Sequence, residues 1–174
     1  MKKIKYLFPL LITLIFLQIN GCDELNSIPL NIPVTITFEN KTGSSLTFDS
    51  GNYCLDSESE TYKEYQDKIN SLTFLQAAYR TTSNSNSSFR GNIVVTIKNG
   101  FGQELASFQL DNINPDDYLT SPLILQLSQA QIQAINNYLK TSTCLQVVVD
   151  ITSTGGETTM SGAVDIVLEA DTEL

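Results

Sequence analysis

From residue 33 onward, apolar side chains recur at every second position, and a chain written that way has few folds open to it. Val34, Ile36 and Phe38 are separated by Thr35 and Thr37, and the same beat returns in Ile93, Val95 and Ile97. Successive side chains of a strand point to opposite faces, so this pattern buries its apolar members only as a strand with one face on a core. The residues that carry it are largely β-branched or aromatic, the types that suit a pleated, half-buried surface.

Turn signals cut the pattern into short pieces. Residues 34–38 and 45–49 flank ENKTGS and read as a hairpin. Residues 89–98 and 104–110 flank KNGFGQ, where Asn99-Gly100 is the pair that a type I′ turn asks for. Leu105 and Leu110 are out of phase by one residue, which calls for a bulge in the return strand. Residues 144–152 and 160–169 read as a third hairpin around Gly155-Gly156. Strands over 72–82 and 123–127 complete a set of eight; in the former, Leu72, Phe74 and Gln76 share one face and Leu75, Ala77 and Tyr79 the other. Two segments have helical spacing instead. Residues 56–68 are dense in charge, with Tyr62, Tyr65 and Ile69 three and four apart, as in a surface helix. Residues 128–140 begin with Ser128 and Gln131 as a capping box, and Ile132, Ile135, Tyr138 and Leu139 form an apolar stripe for the core. Many short strands with helices confined to connections point to an all-β, antiparallel sandwich of the Ig-like or Greek-key type, with about seven or eight strands. One domain, residues 33–174, accounts for all of them.

The N-terminus is of another kind. Lys2, Lys3 and Lys5 precede an apolar run over residues 6–19, long enough for a signal-peptide core and short of the roughly 20 residues that a spanning helix needs. The run ends in Ile19-Asn20-Gly21-Cys22, which resembles the lipobox of bacterial lipoproteins: an aliphatic residue, a loosely chosen one, a small one, then cysteine. The resemblance covers the first 22 residues. It implies a signal peptide over 1–21, cleavage after Gly21, and a Cys22 acylated on both sulfur and amine, a membrane anchor of two or three chains where one would be marginal. Residues 22–32 then read as a polar tether without helical period. In some lipoproteins acids placed like Asp23 and Glu24 retain the protein at the inner membrane, and in others they direct it to the cell surface. The localisation expected is a bacterial membrane, with the leaflet open.

Composition narrows the function. The first 21 residues hold three of the ten basic residues and no acid, leaving seven basic against nineteen acidic side chains. So acidic a domain is unsuited to nucleic acid, whose phosphates demand Lys and Arg patches, and to electrostatic attraction by anionic lipid. The chain has no histidine, which removes Ser-His-Asp triads, Cys-His pairs and His-ligated zinc. It has no tryptophan either. Once Cys22 is acylated, Cys54 and Cys144 remain, either bridged or as two separate buried thiols; an oxidising envelope compartment favours the bridge.

Asp56, Glu58 and Glu60 place oxygen ligands at alternate positions, as calcium loops do, but Thr61 stands where an EF-hand needs glycine. They are the one candidate metal set, and otherwise no cofactor is expected; a solvated acidic helix start is the plainer reading. Asp116 and Asp117 in NPDD are turn residues that face water or a cation. Tyr53, Tyr62, Tyr65, Tyr79 and Tyr118 can stack on sugars or pack in the core. No pair among the acids stands out for glycoside hydrolysis. The expectation is a lipid-anchored envelope protein acting as a non-catalytic binding or scaffolding module, with an envelope protein or glycan as partner. A carboxylate-dependent glycan hydrolase and a calcium-dependent adhesion or glycan-binding module are the alternatives.

Overall fold

The computed structural model describes residues 27–173. Among them are eight strands: β1 (Ser27–Gly43), β2 (Ser45–Cys54), β3 (Ile69–Asn84), β4 (Arg90–Asn99), β5 (Glu104–Ile113), β6 (Leu123–Ile124), β7 (Cys144–Gly155) and β8 (Thr158–Glu173). Three α-helices, α1 (Leu55–Glu58), α2 (Glu60–Tyr65) and α3 (Gln129–Leu139), and two 3-10 turns lie in the connections. The strands form two antiparallel four-stranded sheets, ordered β1-β8-β3-β6 and β2-β7-β4-β5. The chain crosses between sheets at β1–β2, β2–β3, β3–β4, β5–β6, β6–β7 and β7–β8. This order is the double Greek key of a jelly roll, so the all-β sandwich expected from the alternation is present in its Greek-key form.

Alternation fixes the core. Ile32, Val34, Ile36 and Phe38 of β1 point inward, as do Ile93, Val95 and Ile97 of β4 and Val147, Val149 and Ile151 of β7. Phe38 and Phe48 meet across the two sheets with ring centroids 5.6 Å apart, closing the side where β1 and β2 lie together. The other side is closed differently, because β6 is only two residues long and leaves most of the β3 edge that faces away from β8 unpaired. Helix α3 fills that gap. It begins with the expected capping box of Ser128 and Gln131 and buries Ile135 and Leu139. Its Asn136 Oδ1 accepts a hydrogen bond from Phe74 N of β3 at 2.7 Å, and Gln131 Nε2 donates to Ser107 O of β5 at 2.7 Å. One helix thus satisfies backbone groups on the open edges of both sheets.

Several pairings differ from the sequence expectation. β1 and β2 do not form a hairpin: β1 pairs with β8 and β2 with β7. Nor do β7 and β8 pair with each other around Gly155-Gly156; they occupy different sheets. The β4–β5 hairpin is present, but its turn is not type I′. Positive φ falls on Gly102 (80°) rather than on Asn99 or Gly100, and Gly102 N bonds to Asn99 O while Asn99 N bonds to Gln103 O. That is a three-residue loop closed by a left-handed glycine. The bulge expected in β5 is at Leu105, where Ile97 faces Ala106 and Lys98 faces Glu104. A further bulge at Leu75 resets the phase of β3, so Leu72, Phe74, Ala77 and Tyr79 share the inner face and Leu75 stands 44% exposed. Finally, β1 starts at Ser27; residues 27–32, expected in the tether, are strand paired with β8. The rest of the expected tether and the signal segment lie outside the described residues.

Candidate functional site

Strand directions give the sandwich two unlike ends. One end holds the start of β1, the end of β8, α1 and α2, the β4–β5 hairpin and the start of β7. The other gathers the β1–β2 turn at Ser44 and the loops over residues 85–89, 114–122 and 156–157.

At the first end, Cys54 closes β2 directly opposite Cys144, which opens β7. The two are joined by a disulfide with S–S 2.01 Å. Beside it, Gly100 N donates to Tyr138 Oη (2.9 Å), which donates in turn to Ser142 Oγ (2.8 Å), and Asn52 Nδ2 donates to Gly100 O (3.2 Å). A Cβ on Gly100 would lie 3.1 Å from the Tyr138 hydroxyl, a tight contact that a side chain there would relieve only by moving the tyrosine by a few tenths of an ångström. Asn99 Oδ1 accepts from both Phe101 N and Gln103 N at 2.9 Å. The tight loop holds Phe101 out in solvent, 87% exposed. An open groove of about 380 Å³ runs between the start of β3 and the end of α3, lined by Tyr62, Leu72, Leu139 and residues 140–143.

The candidate calcium ligands do not converge. Glu58 lies within reach of Cys54 N at 3.4 Å, Glu60 pairs with Lys63 at 3.0 Å, and Asp56 sits in the first turn of α1. Asp56 instead comes within 4.8 Å of the Cys54 and Cys144 sulfurs, which are bonded to each other and so offer no thiolate to a metal. Cys22 lies outside the described residues.

The second end is built from polar side chains that tie its loops together. Asn84 Nδ2 donates to Asp116 Oδ1 (2.7 Å) and to Asn86 O (2.9 Å), and Asn84 Oδ1 accepts from Thr158 Oγ1. Asn86 Nδ2 donates to Glu157 O (2.9 Å), and Asn114 Nδ2 reaches Ser87 O (3.4 Å). Three connections distant in sequence therefore form one rim. Phe89, fully buried at the foot of the loop, pins it to the core. From sequence the SNSNSS stretch reads as a loop with nothing to bury, and Phe89 right behind it is the signal that it is anchored. Asp116 and Asp117 sit in the 3-10 turn Pro115–Tyr118, capped by Asn114; Asp116 is turned to Asn84.

Of the tyrosines, Tyr79 is a core residue. Burial pushes its hydroxyl up to about 12, and the hydrogen bond with Thr81 only partly offsets this. Tyr118 packs edge-on against it at 6.4 Å; Tyr53, Tyr62 and Tyr65 are half-buried at the first end. Other acids also serve as hydrogen-bond partners. Asp165 takes Arg80 Nε (2.8 Å) and Thr35 Oγ1 (2.7 Å), and Asp49 is held below the usual carboxylate range by hydrogen bonds from Gln146 and Gly51 N. No carboxylate among the described residues is buried.

No family model matches the chain, and no curated protein sequence matches it significantly. Solved structures do. One, titled Desmodium yellow mottle tymovirus, is 10% identical over 85% of this chain and 89% of that one, with a TM-score of 0.44. The infectious bursal disease virus VP2 subviral particle is 10% identical over 88% of this chain and 41% of that one, with a TM-score of 0.41.

Proposed function

We propose that this is a lipid-anchored protein of the bacterial envelope, held through acylated Cys22, whose sandwich acts as a non-catalytic binding or scaffolding module. The observation that carries the reading is the polarity of the domain. β1 begins at Ser27, five residues after Cys22, at the end bearing the disulfide. The rim built around Asn84, Asn86 and Asp116 lies at the opposite end. A domain tethered in this way offers its cross-linked loops to whatever stands above the membrane, and loops fixed by a rigid scaffold are where binding residues concentrate. The Cys54–Cys144 bridge suits an oxidising compartment. The described acids, half-buried or exposed and many of them hydrogen-bonded, suit a structural role better than that of a general acid, which is raised by apolar burial.

The test is fractionation of cells carrying the wild-type chain or Cys22→Ser, with a photo-crosslinking side chain placed at Ser87 or at Asp117. The reading expects wild type in membranes, Cys22→Ser released from them, and crosslinks to an envelope protein or glycan from the rim. If Cys22→Ser stays with the membrane, the lipid anchor is wrong. If a turnover is found that one Asp or Glu substitution abolishes, the non-catalytic reading is wrong.

A further inference from the structure

The apolar face of β1 does not stop where the core stops. Along that face Ile32 is fully buried, Leu30 half-buried and Ile28 50% exposed. The stripe therefore runs out of the sandwich toward the N-terminus. Thr172 Oγ1 fixes the start of the strand by donating to Ile28 O at 2.7 Å. Ile28 and Leu30 line a shallow niche of about 250 Å³ with Tyr65, Thr172, and at its rim Lys68 and Glu173. Its walls are mainly apolar, with a half-buried tyrosine and a lysine at the edge. Such side chains carry an apolar body and a polar tip, and they settle at a boundary between water and hydrocarbon.

What covers this niche follows from the chain that precedes it. Ser27 is five positions after Cys22, with four residues between them, and five extended steps of the chain span at most about 18 Å. An acylated Cys22 keeps its chains in the bilayer, so Ile28 is bound to remain within about one tether length of the headgroups. Resting on the lipid-anchor reading, we propose that this end of the domain docks on the bilayer surface. Ile28, Leu30 and Tyr65 enter the interfacial region while Lys68 reaches back to phosphate. The tether then holds one orientation, with the Asn84 rim pointing away from the membrane. Glu173 lines the same niche and the domain is strongly acidic, so the docking favours zwitterionic lipid and weakens as anionic lipid is added.

The chain has no tryptophan, which makes the test direct. Full-length Tyr65→Trp is purified from membranes, its Cys22 acylation is verified by mass spectrometry, and it is reconstituted in phosphatidylcholine vesicles with and without chain-brominated lipid. Ser87→Trp, at the opposite end, is the control. The expected result is a blue-shifted Tyr65→Trp emission, quenched roughly twofold by brominated lipid, with Ser87→Trp unquenched. Adding Ile28→Ser to Tyr65→Trp should reduce the quenching. An acylated, vesicle-bound Tyr65→Trp as unquenched as Ser87→Trp overturns the docking and leaves the anchor standing. An unacylated Cys22 overturns the anchor itself, and the docking with it.

Discussion

Helix α3 occupies the place of a missing strand, and two substitutions on it separate hydrogen bonding from packing. Asn136→Ala removes the acceptor that holds Phe74 N at 2.7 Å, on a residue only 4% exposed. Leaving a buried N–H unpaired costs about 1–3 kcal/mol, and the better helix propensity of alanine returns about 0.5 kcal/mol. The expected net loss is about 1–2 kcal/mol. Gln131→Glu is the finer probe. A carboxylate at that position still accepts from Ser128 N and completes the capping box. It cannot donate to Ser107 O, as Gln131 Nε2 does at 2.7 Å. Losing that bond alone costs about 0.5–1.5 kcal/mol. Urea unfolding gives the totals, and amide exchange gives the location. In Asn136→Ala, protection of the Phe74 amide should fall by about tenfold beyond any change at Val95 or Val149, equivalent to about 1.4 kcal/mol of local opening. Asn137→Ala, on the exposed side of the same turn, is the control and should stay within about 0.5 kcal/mol of wild type. If Asn136→Ala and Gln131→Glu match Asn137→Ala and the Phe74 amide is unchanged, the helix is held by Ile135 and Leu139 alone and the edge-covering argument is wrong.

Three other outcomes are expected. Tyr79, raised to about 12 by burial, is neutral in the folded chain while an unfolded tyrosine ionises near pH 10; its contribution is complete below pH 10 and lost as pH rises toward 12. Stability should therefore fall by about 1.4 kcal/mol per pH unit in that window, and denaturant titrations of Tyr79→Phe should show a shallower fall. Gly102→Ala meets nothing nearer than Gln146 Oε1 at 3.9 Å, so its cost is the left-handed φ alone, about 1 kcal/mol, read from the urea midpoint; a neutral result would mean that the loop relaxes. Replacing both Cys54 and Cys144 by alanine opens a loop of 90 residues and should cost up to about 4–5 kcal/mol, seen as a melting point that no longer responds to reductant.

Which side chains are buried was legible in the alternation, and which strands pair was not. Period two places Val34, Val95 and Val149 inward, but the inner faces of two sheets look alike in sequence. The signals at ENKTGS and STGGET serve a hairpin and a corner between sheets equally well. The rim was opaque for a similar reason. Asn84 looks like any loop residue, because its partners Asp116 and Thr158 lie 32 and 74 positions away. The disulfide needed only compartment and count, since both cysteines sit at strand ends that the register brings together. Pro29 and Pro33 are the instructive failure. Proline cannot donate to a ladder, and Pro29 stands in the polar, aperiodic run over residues 22–32 that reads as a tether, with Pro33 just behind it. Yet both lie within β1, paired with Asp171 and Val167. Four residues apart in a strand, they aim their missing donors to the same side, and β1 has a neighbour on one side only. Proline is tolerated where that side faces solvent. The two residues that argue against a strand thus mark it as an edge, and they blunt that edge against pairing with a second chain.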